Sequence, residues 1–359
     1  MDNAHVTIER LADTVSKEGG SDLHLHDGGH PIIRVAGSLI PLVKEPVLSV
    51  TDMQGIAEYL LGKERYERFL LEREIDFSYT TTKDGGGEKA RFRGNAYFER
   101  GSISIALRLI PAKIQTLDEL NLPKTLEIFA RREQGFFLVV GPVGHGKSTT
   151  LASLVDTVNR ERAAHILTIE DPIEFTYTPA QSLIDQREVG IDTADFATAL
   201  RAMFRQDIDV VMIGEMRGPA TISAAVTAAE TGHLVYSTLH TNNAAQTVDR
   251  IIDSFPGEQQ NQIKSQLAQS LAGIFSQRLI PRISGGLIPA YELLINNSAV
   301  SNLIREGRVY ELNVVIETGA GEGMIDMNRT LAELVRRGEI TVENAQLYSP
   351  NPQGLGRLV

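Results

Sequence analysis

One nine-residue stretch limits the possible folds of this chain more than any other. Gly141-Pro142-Val143-Gly144-His145-Gly146-Lys147-Ser148-Thr149 follows the apolar run FFLVV (136–140) and precedes the helical pattern TLASLVDTVNR. The spacing fits G-x-x-x-x-G-K-[ST] in the strand–loop–helix setting that the motif requires. Glycines let the backbone N–H groups of such a loop wrap phosphate oxygens, and the helix N-terminus adds partial positive charge. All nine residues are therefore candidate ligands of a nucleoside triphosphate such as ATP. Lys147 is expected to reach its β- and γ-phosphates and Ser148 to ligate Mg²⁺.

The rhythm around this loop predicts an α/β fold. HILTI (165–169), DVVMI (209–213) and LVYSTL (234–239) are short continuous apolar runs separated by helical stretches, the pattern of parallel strands covered on both faces. After 257 the periodicity predicts mainly helix, over 258–279, 298–306 and 327–337. Ahead of the loop the pattern is of another kind. A helix over 5–17, with Val6, Leu11 and Val15 near one face, stops at Gly19-Gly20. A strand is expected at 22–26, then a hairpin over 31–43 turning at Ala36-Gly37-Ser38, with apolar alternation on both sides. Helices over 51–61 and 63–72 precede β-type runs between 77 and 110, broken by Asp84-Gly85-Gly86-Gly87 and by Glu99-Arg100-Gly101. The expected organisation is a small α+β domain over 1–110, a linker over 111–124, a P-loop ATPase core over 125–290 and a C-terminal helical region over 291–359.

Composition narrows the function. At 359 residues and 42% hydrophobic content the chain has ample core, and its net charge of −11 supplies no global basic field to recruit nucleic acid. It has no cysteine, which excludes a disulfide framework and every thiolate metal site. The N-terminus lacks the apolar segment of a secretory signal, and no run of about 18 apolar residues occurs. A soluble cytoplasmic protein is expected.

Hydrolysis needs carboxylates beside the phosphates. HILTI leads into Glu170-Asp171-Pro172-Ile173-Glu174, which places acids at the C-terminal edge of the sheet, where such sites lie. DVVMI ends in Gly214-Glu215, so Glu215 is the natural substitute for the aspartate usual there. Glu170 and Glu215 are candidate metal-shell and water-orienting groups; Glu174 and Asp171 serve there or only solvate a loop. His240 follows LVYSTL and either senses the γ-phosphate or is a neutral structural histidine. His233, at the start of that strand, is at the wrong end for phosphate unless a neighbouring subunit is involved. Arg91, Arg93 and Arg108 lie on strands of the first domain, as solvated charges or as arginines that stabilise a transferring phosphoryl group across an interface.

Taken together, GGSDLHLH (19–26), the phosphate loop, IEDPIEF (169–175), VVMIGEMR (210–217) and TGHLVYSTLHTNNA (231–244) resemble the secretion ATPase superfamily of type IV pilus and type II secretion motors, and within it the pilus-retraction group. The resemblance covers nearly the whole chain. It implies a PAS-like N-terminal domain followed by a RecA-like ATPase domain, an aspartate box at IEDPIEF, an atypical Walker B at GEMR and a histidine box around STLHT. It also implies a homohexamer in which the N-terminal domain of one subunit supplies arginines to its neighbour's nucleotide. The partner expected is an inner-membrane pilus platform protein, which would hold the motor at the cytoplasmic face; a second retraction ATPase is a further candidate, and no nucleic acid is expected.

Extension and secretion members typically carry a four-cysteine zinc module, absent from this chain, and SNLIREGRV (301–309) is similar to the retraction group's AIRNLIRE helix. Retraction by ATP hydrolysis is therefore the expected function, with extension, secretion or accessory retraction as alternatives and a nucleic-acid translocase or an inactive nucleotide-binding scaffold behind them. Three positions depart from the family pattern: Ser301 stands for its first arginine, His145 for a small residue, and Arg205-Gln206-Asp207 for R-E-D.

Overall fold

The computed structural model describes residues 2–81, 90–111, 113–216 and 218–359. These form two compact units, residues 1–113 with 172–176, and residues 114–171 with 177–359. The segment Asp84-Gly85-Gly86-Gly87 and Arg217 lie outside the described residues.

The first unit runs α1 (Asp2–Lys17), β1 (Asp22–Leu25), β2 (Ile32–Val35), β3 (Ser38–Pro41), α2 (Val50–Glu72), β4 (Glu74–Thr80), β5 (Arg91–Glu99) and β6 (Ser102–Ile110). Its strands make an antiparallel sheet of order β3-β2-β1-β6-β5-β4. Two-residue turns close two of the hairpins: Ala36-Gly37 and Arg100-Gly101 all take positive φ, the backbone that suits the twist of antiparallel strands. Helix α2 opens on a capping box between Ser49 and Asp52 and is broken at Gly62 (φ 69°, ψ 166°), so the two helices expected over 51–61 and 63–72 are consecutive segments of one element. Ile8, Leu11, Ala12 and Val15 of α1 join Met53, Ile56 and Phe69 of α2 over Leu23, Phe77, Phe92, Ile105 and Leu107 of the sheet.

Two expectations fail here. Val6 is 61% exposed; at about 100° per residue it lies some 140° around α1 from Leu11, and Ile8 takes its place in the stripe. The apolar alternation expected on both arms of the 31–43 hairpin stops at β2, because every residue of the edge strand β3 is exposed.

The second unit contains α3 (Glu127–Ala130), β7 (Gly135–Val140), α4 (Lys147–Glu161), β8 (His165–Glu170), β9 (Leu183–Glu188), α5 (Phe196–Met203), β10 (Val210–Ile213), α6 (Pro219–Glu230), β11 (Leu234–Leu239), α7 (Ala244–Asp253), α8 (Gly257–Ser270), β12 (Leu271–Pro281), β13 (Leu287–Ile295), α9 (Ser298–Glu306), α10 (Leu312–Thr318), α11 (Met327–Arg336), α12 (Val342–Tyr348) and α13 (Pro352–Leu355). Its sheet has the order β13-β12-β7-β11-β10-β8-β9, parallel except for β13. Every residue of β7, β10 and β11 is buried. Because successive residues face opposite sides of a sheet, both faces are covered.

Helix does not run over 258–279 as the periodicity suggested. Helix α8 ends at Ser270, and 271–281 is the strand β12, parallel to β7 and antiparallel to β13. The region over 291–359 likewise begins inside β13 rather than in a helix. A continuous run such as LAGIF suits a buried helix or a buried strand equally; what decides is the exposed edge of β7, a partner remote in sequence. On its other side β12 runs close to β13, and a Cβ on Gly273 would stand 2.6 Å from the Leu294 carbonyl oxygen. The outer side of the hairpin carries its own small core, Ile280, Ile288 and Ala290 against Met327 and Leu331 of α11 and Ala345 of α12. Ser301, where the family pattern has arginine, fastens α9: its hydroxyl lies 2.8 Å from Ala268 O and 3.0 Å from Asn296 Oδ1.

Candidate nucleotide site

The nucleotide-site residues of the second unit gather where β7, β8, β10 and β11 end. Past Val140 the chain turns through Gly141, Gly144 and Gly146, with φ of 148°, 79° and 80°, and Gly146 caps α4 in the left-handed conformation. Those backbone angles are open to glycine at little cost, which is why the motif spaces glycines here. The N-cap residue, Gly146, has no side chain to cap α4, which suits a helix start whose first N–H groups face an anion.

Lys147 is buried, and its ammonium has polar partners there: Nζ donates to Pro142 O at 2.9 Å and lies 3.2 Å from His240 Nδ1. An ammonium has donors only, so Nδ1 accepts and the neutral His240 ring carries its proton on Nε2. That nitrogen faces Glu215 Oε2 at 3.8 Å. Lys147, His240 and Glu215 thus form one line from the phosphate loop to the acid at the end of β10. Hydroxyls of β11 fix the chain ahead of Glu215: Ser237 Oγ donates to Ile213 O at 2.9 Å and Thr238 Oγ1 to Gly214 O at 2.7 Å. Glu170 ends the neighbouring strand, buried, with its Oε1 accepting from Thr168 Oγ1 at 2.7 Å and Gln186 Nε2 at 3.3 Å. His233 lies at the opposite end of β11, against Ala228 O and edge-on to Phe204.

Among the described residues no group of three or more acidic or histidine side chains is placed to hold a metal ion by itself. Mg²⁺ keeps waters and is usually bound through one or two protein groups plus substrate phosphates. Ser148, Glu170 and Glu215 are the candidates for that role.

Glu174, Arg91, Arg93 and Arg108 belong to the first unit. On its sheet Arg93 stands opposite Arg108, Arg108 opposite Asp22, and Asp22 opposite Arg34. Like charges face to face are unfavourable, and Asp22 offsets them: Arg108 Nε donates to its Oδ1 at 2.8 Å and Arg34 Nε is 4.0 Å from its Oδ2. Burial pushes the Asp22 carboxyl up, but bonds from Ser21 and Arg108 outweigh it and hold the group below its ordinary value.

Strand β12 contributes contacts that sequence reasoning missed, because its residues fell inside an expected helix. Gln277 Oε1 accepts from Thr150 Oγ1 at 2.6 Å, and its Nε2 donates to His145 O at 3.0 Å. Leu279 N donates to His145 Nδ1 at 2.9 Å. The alternate residues hold the histidine loop instead, Ser276 Oγ donating to Asn242 O at 2.8 Å and Arg278 Nη2 to Asn242 Oδ1 at 3.2 Å. Glu292 on β13 accepts from Ala244 N at 2.8 Å.

A parallel sheet with a glycine loop, a buried lysine and two acids at its C-terminal edge defines a P-loop nucleotide-binding protein. The family model described as Type II/IV secretion system protein matches residues 87–320. The Type IV pilus retractation ATPase PilT of Pseudomonas aeruginosa is 42% identical over 348 residues, 96% of this chain and 99% of that protein. A Twitching motility protein of Neisseria gonorrhoeae is 41% identical over 326 residues, 90% of this chain and 86% of that one. A crystal structure of the pilus retraction motor PilT with bound ADP superposes with a TM-score of 0.89 at 42% identity, covering 98% of this chain and 99% of that one. The chain belongs to the Type II/IV secretion system protein family, and its sequence and fold are of the PilT type.

Proposed function

We propose that this chain is an ATP-hydrolysing motor that powers type IV pilus retraction. The observation that carries the proposal is the near full-length likeness to a retraction ATPase, in a chain whose Lys147, His240 and Glu215 form a continuous line. Backbone N–H groups of residues 141–149 cradle the phosphates, and Lys147 exchanges its bond to Pro142 O for the β- and γ-phosphates. Bound at Ser148 with Glu170 and Glu215, Mg²⁺ supplies charge neutralisation on the phosphates. Glu215 orients the attacking water, and His240 reports the state of the γ-phosphate through the bonds of its loop. Glu174 is a further candidate acid of the aspartate box. Arg91, Arg93 and Arg108 complete the site of a neighbouring subunit in a homohexamer, so domain motion follows occupancy of the interface. The ring works at the cytoplasmic face of the inner membrane on a pilus platform protein, alone or with a second retraction ATPase.

Deleting the gene tests the direction of action. Retraction predicts cells with abundant surface pili and no twitching, restored by the wild-type gene but not by Glu215→Gln. Loss of surface pili would instead assign the chain to extension or secretion.

A further inference from the structure

The phosphate loop is an irregular segment whose inward N–H groups must stay free for phosphate, so its geometry has to be imposed from outside the loop. Strand β12 is placed to do this. It pairs with β7 as far as Ser276 opposite Val140, and its next residues run on beside the loop that leaves β7. The approach is close: a Cβ on Gly141 would stand 2.3 Å from Gln277 O, and one on Gly146 would stand 2.9 Å from Gln277 Nε2.

We propose that a two-point clasp to β12 sets the phosphate loop for nucleotide, with His145 and Gln277 as its positioning residues. At one point the Gln277 amide bridges His145 O and the Thr150 hydroxyl, joining the loop to the first turn of α4. At the other the His145 ring accepts from Leu279 N. A backbone N–H can only donate, so Nδ1 must be unprotonated for this bond to exist. Burial, then Arg278 of β12 and Lys147 of α4, hold the ring below its ordinary pKa, the direction that favours the neutral ring this bond needs. Serine, alanine or glycine at position 145 has no acceptor that reaches Leu279 N, so the second point needs a longer side chain with an acceptor at the place of this Nδ1. The Asn242 contacts of Ser276 and Arg278 make the same four residues a common support for the phosphate and histidine loops.

The proposal rests on residues 141–149 binding the nucleotide, and the test separates the two. Mg·ADP is titrated calorimetrically into full-length wild type, Lys147→Ala, His145→Ala, His145→Asn and Gln277→Ala, and the KM and kcat for ATP are measured for each. Loss of one clasp point leaves the loop ordered for a smaller fraction of the time, which weakens apparent affinity by that fraction. His145→Ala and Gln277→Ala should each weaken ADP by about threefold to tenfold, the worth of one hydrogen bond, and raise KM by the same factor with kcat little changed. Asparagine places Oδ1 where histidine has Nδ1, so His145→Asn should recover the affinity lost in His145→Ala. If His145→Ala does not fold, Gln277→Ala together with the comparison of His145→Asn with wild type decides. Affinities of His145→Ala and Gln277→Ala within about twofold of wild type, or an asparagine variant as weak as the alanine one, would overturn the clasp. If Lys147→Ala also binds ADP as wild type does, the nucleotide site itself is misassigned.

Discussion

Glu292 allows a prediction whose size follows from the structure. The side chain is 7% exposed on β13, and its Oε1 accepts from Ala244 N, the first residue of α7 beyond the histidine loop. Burial pushes its carboxyl up to about 7 from an ordinary 4.5, against the pull of the Ala244 N–H, with Asp326 raising it further and Arg278 lowering it. The folded pKa lies above the unfolded one, so folding disfavours the ionised form. The penalty is absent below about pH 4.5, where both states are protonated, and complete above about 7, where both are ionised. A gap of about 2.5 units is worth about 3 kcal/mol at most. Glutamine keeps the acceptor for Ala244 N and removes the titration. Urea unfolding of the second unit, followed from pH 5 to 8.5, should show Glu292→Gln gaining about 2 to 3 kcal/mol on wild type as pH rises through the window. A difference between the two proteins that stays flat with pH would refute the reasoning.

Other positions give sharper local tests. Gly141→Ala drives a Cβ into the Gln277 carbonyl, a backbone atom with nowhere to move, at a φ of 148°; ADP affinity measured by calorimetry should fall at least about tenfold, while thermal melting shows the chain still folded. Thr238→Val removes the hydroxyl that holds Gly214 O, so Glu215 loses its fixed lead-in; kcat for ATP should fall while KM changes little, and equal loss in both would point to a general disturbance. Asp22→Asn leaves Arg34, Arg93 and Arg108 in adjacent registers without their carboxylate. The first unit should lose about 1 kcal/mol at low salt and regain much of it at about 1 M NaCl, read from unfolding midpoints.

How far the sequence discloses this molecule depends on where each element finds its partners. FFLVV, HILTI, VVMI and LVYSTL declare themselves because a strand buried on both faces must be apolar throughout, and glycine spacing declares the loop because only certain backbones wrap phosphate. Glu215 and His240 could be anticipated from their places at strand ends. Strand β9 escaped because LIDQRE is mostly polar at a sheet edge, and β12 because its apolar run suits two secondary structures until β7 is present to pair with it. The roles of Gln277, Arg278 and Glu292 were hidden for the same reason. Their partners, His145, Thr150, Asn242 and Ala244, are 36 to 132 residues away; no local spacing encodes such bonds. Val6 was misplaced by counting apolar residues without resolving the helical angle.

The central claim is that the chain turns over ATP at a site built from Lys147 and Glu215. Its most direct test is steady-state ATP hydrolysis by the purified protein beside Glu215→Gln and Lys147→Ala, with the assembly state of each recorded by light scattering. The account predicts that wild type hydrolyses ATP as a hexamer, that Glu215→Gln binds ATP without turning it over, and that Lys147→Ala fails to bind. Near-full activity in Glu215→Gln would move the water-orienting role to the aspartate box, and an inactive wild-type hexamer would contradict the motor assignment itself.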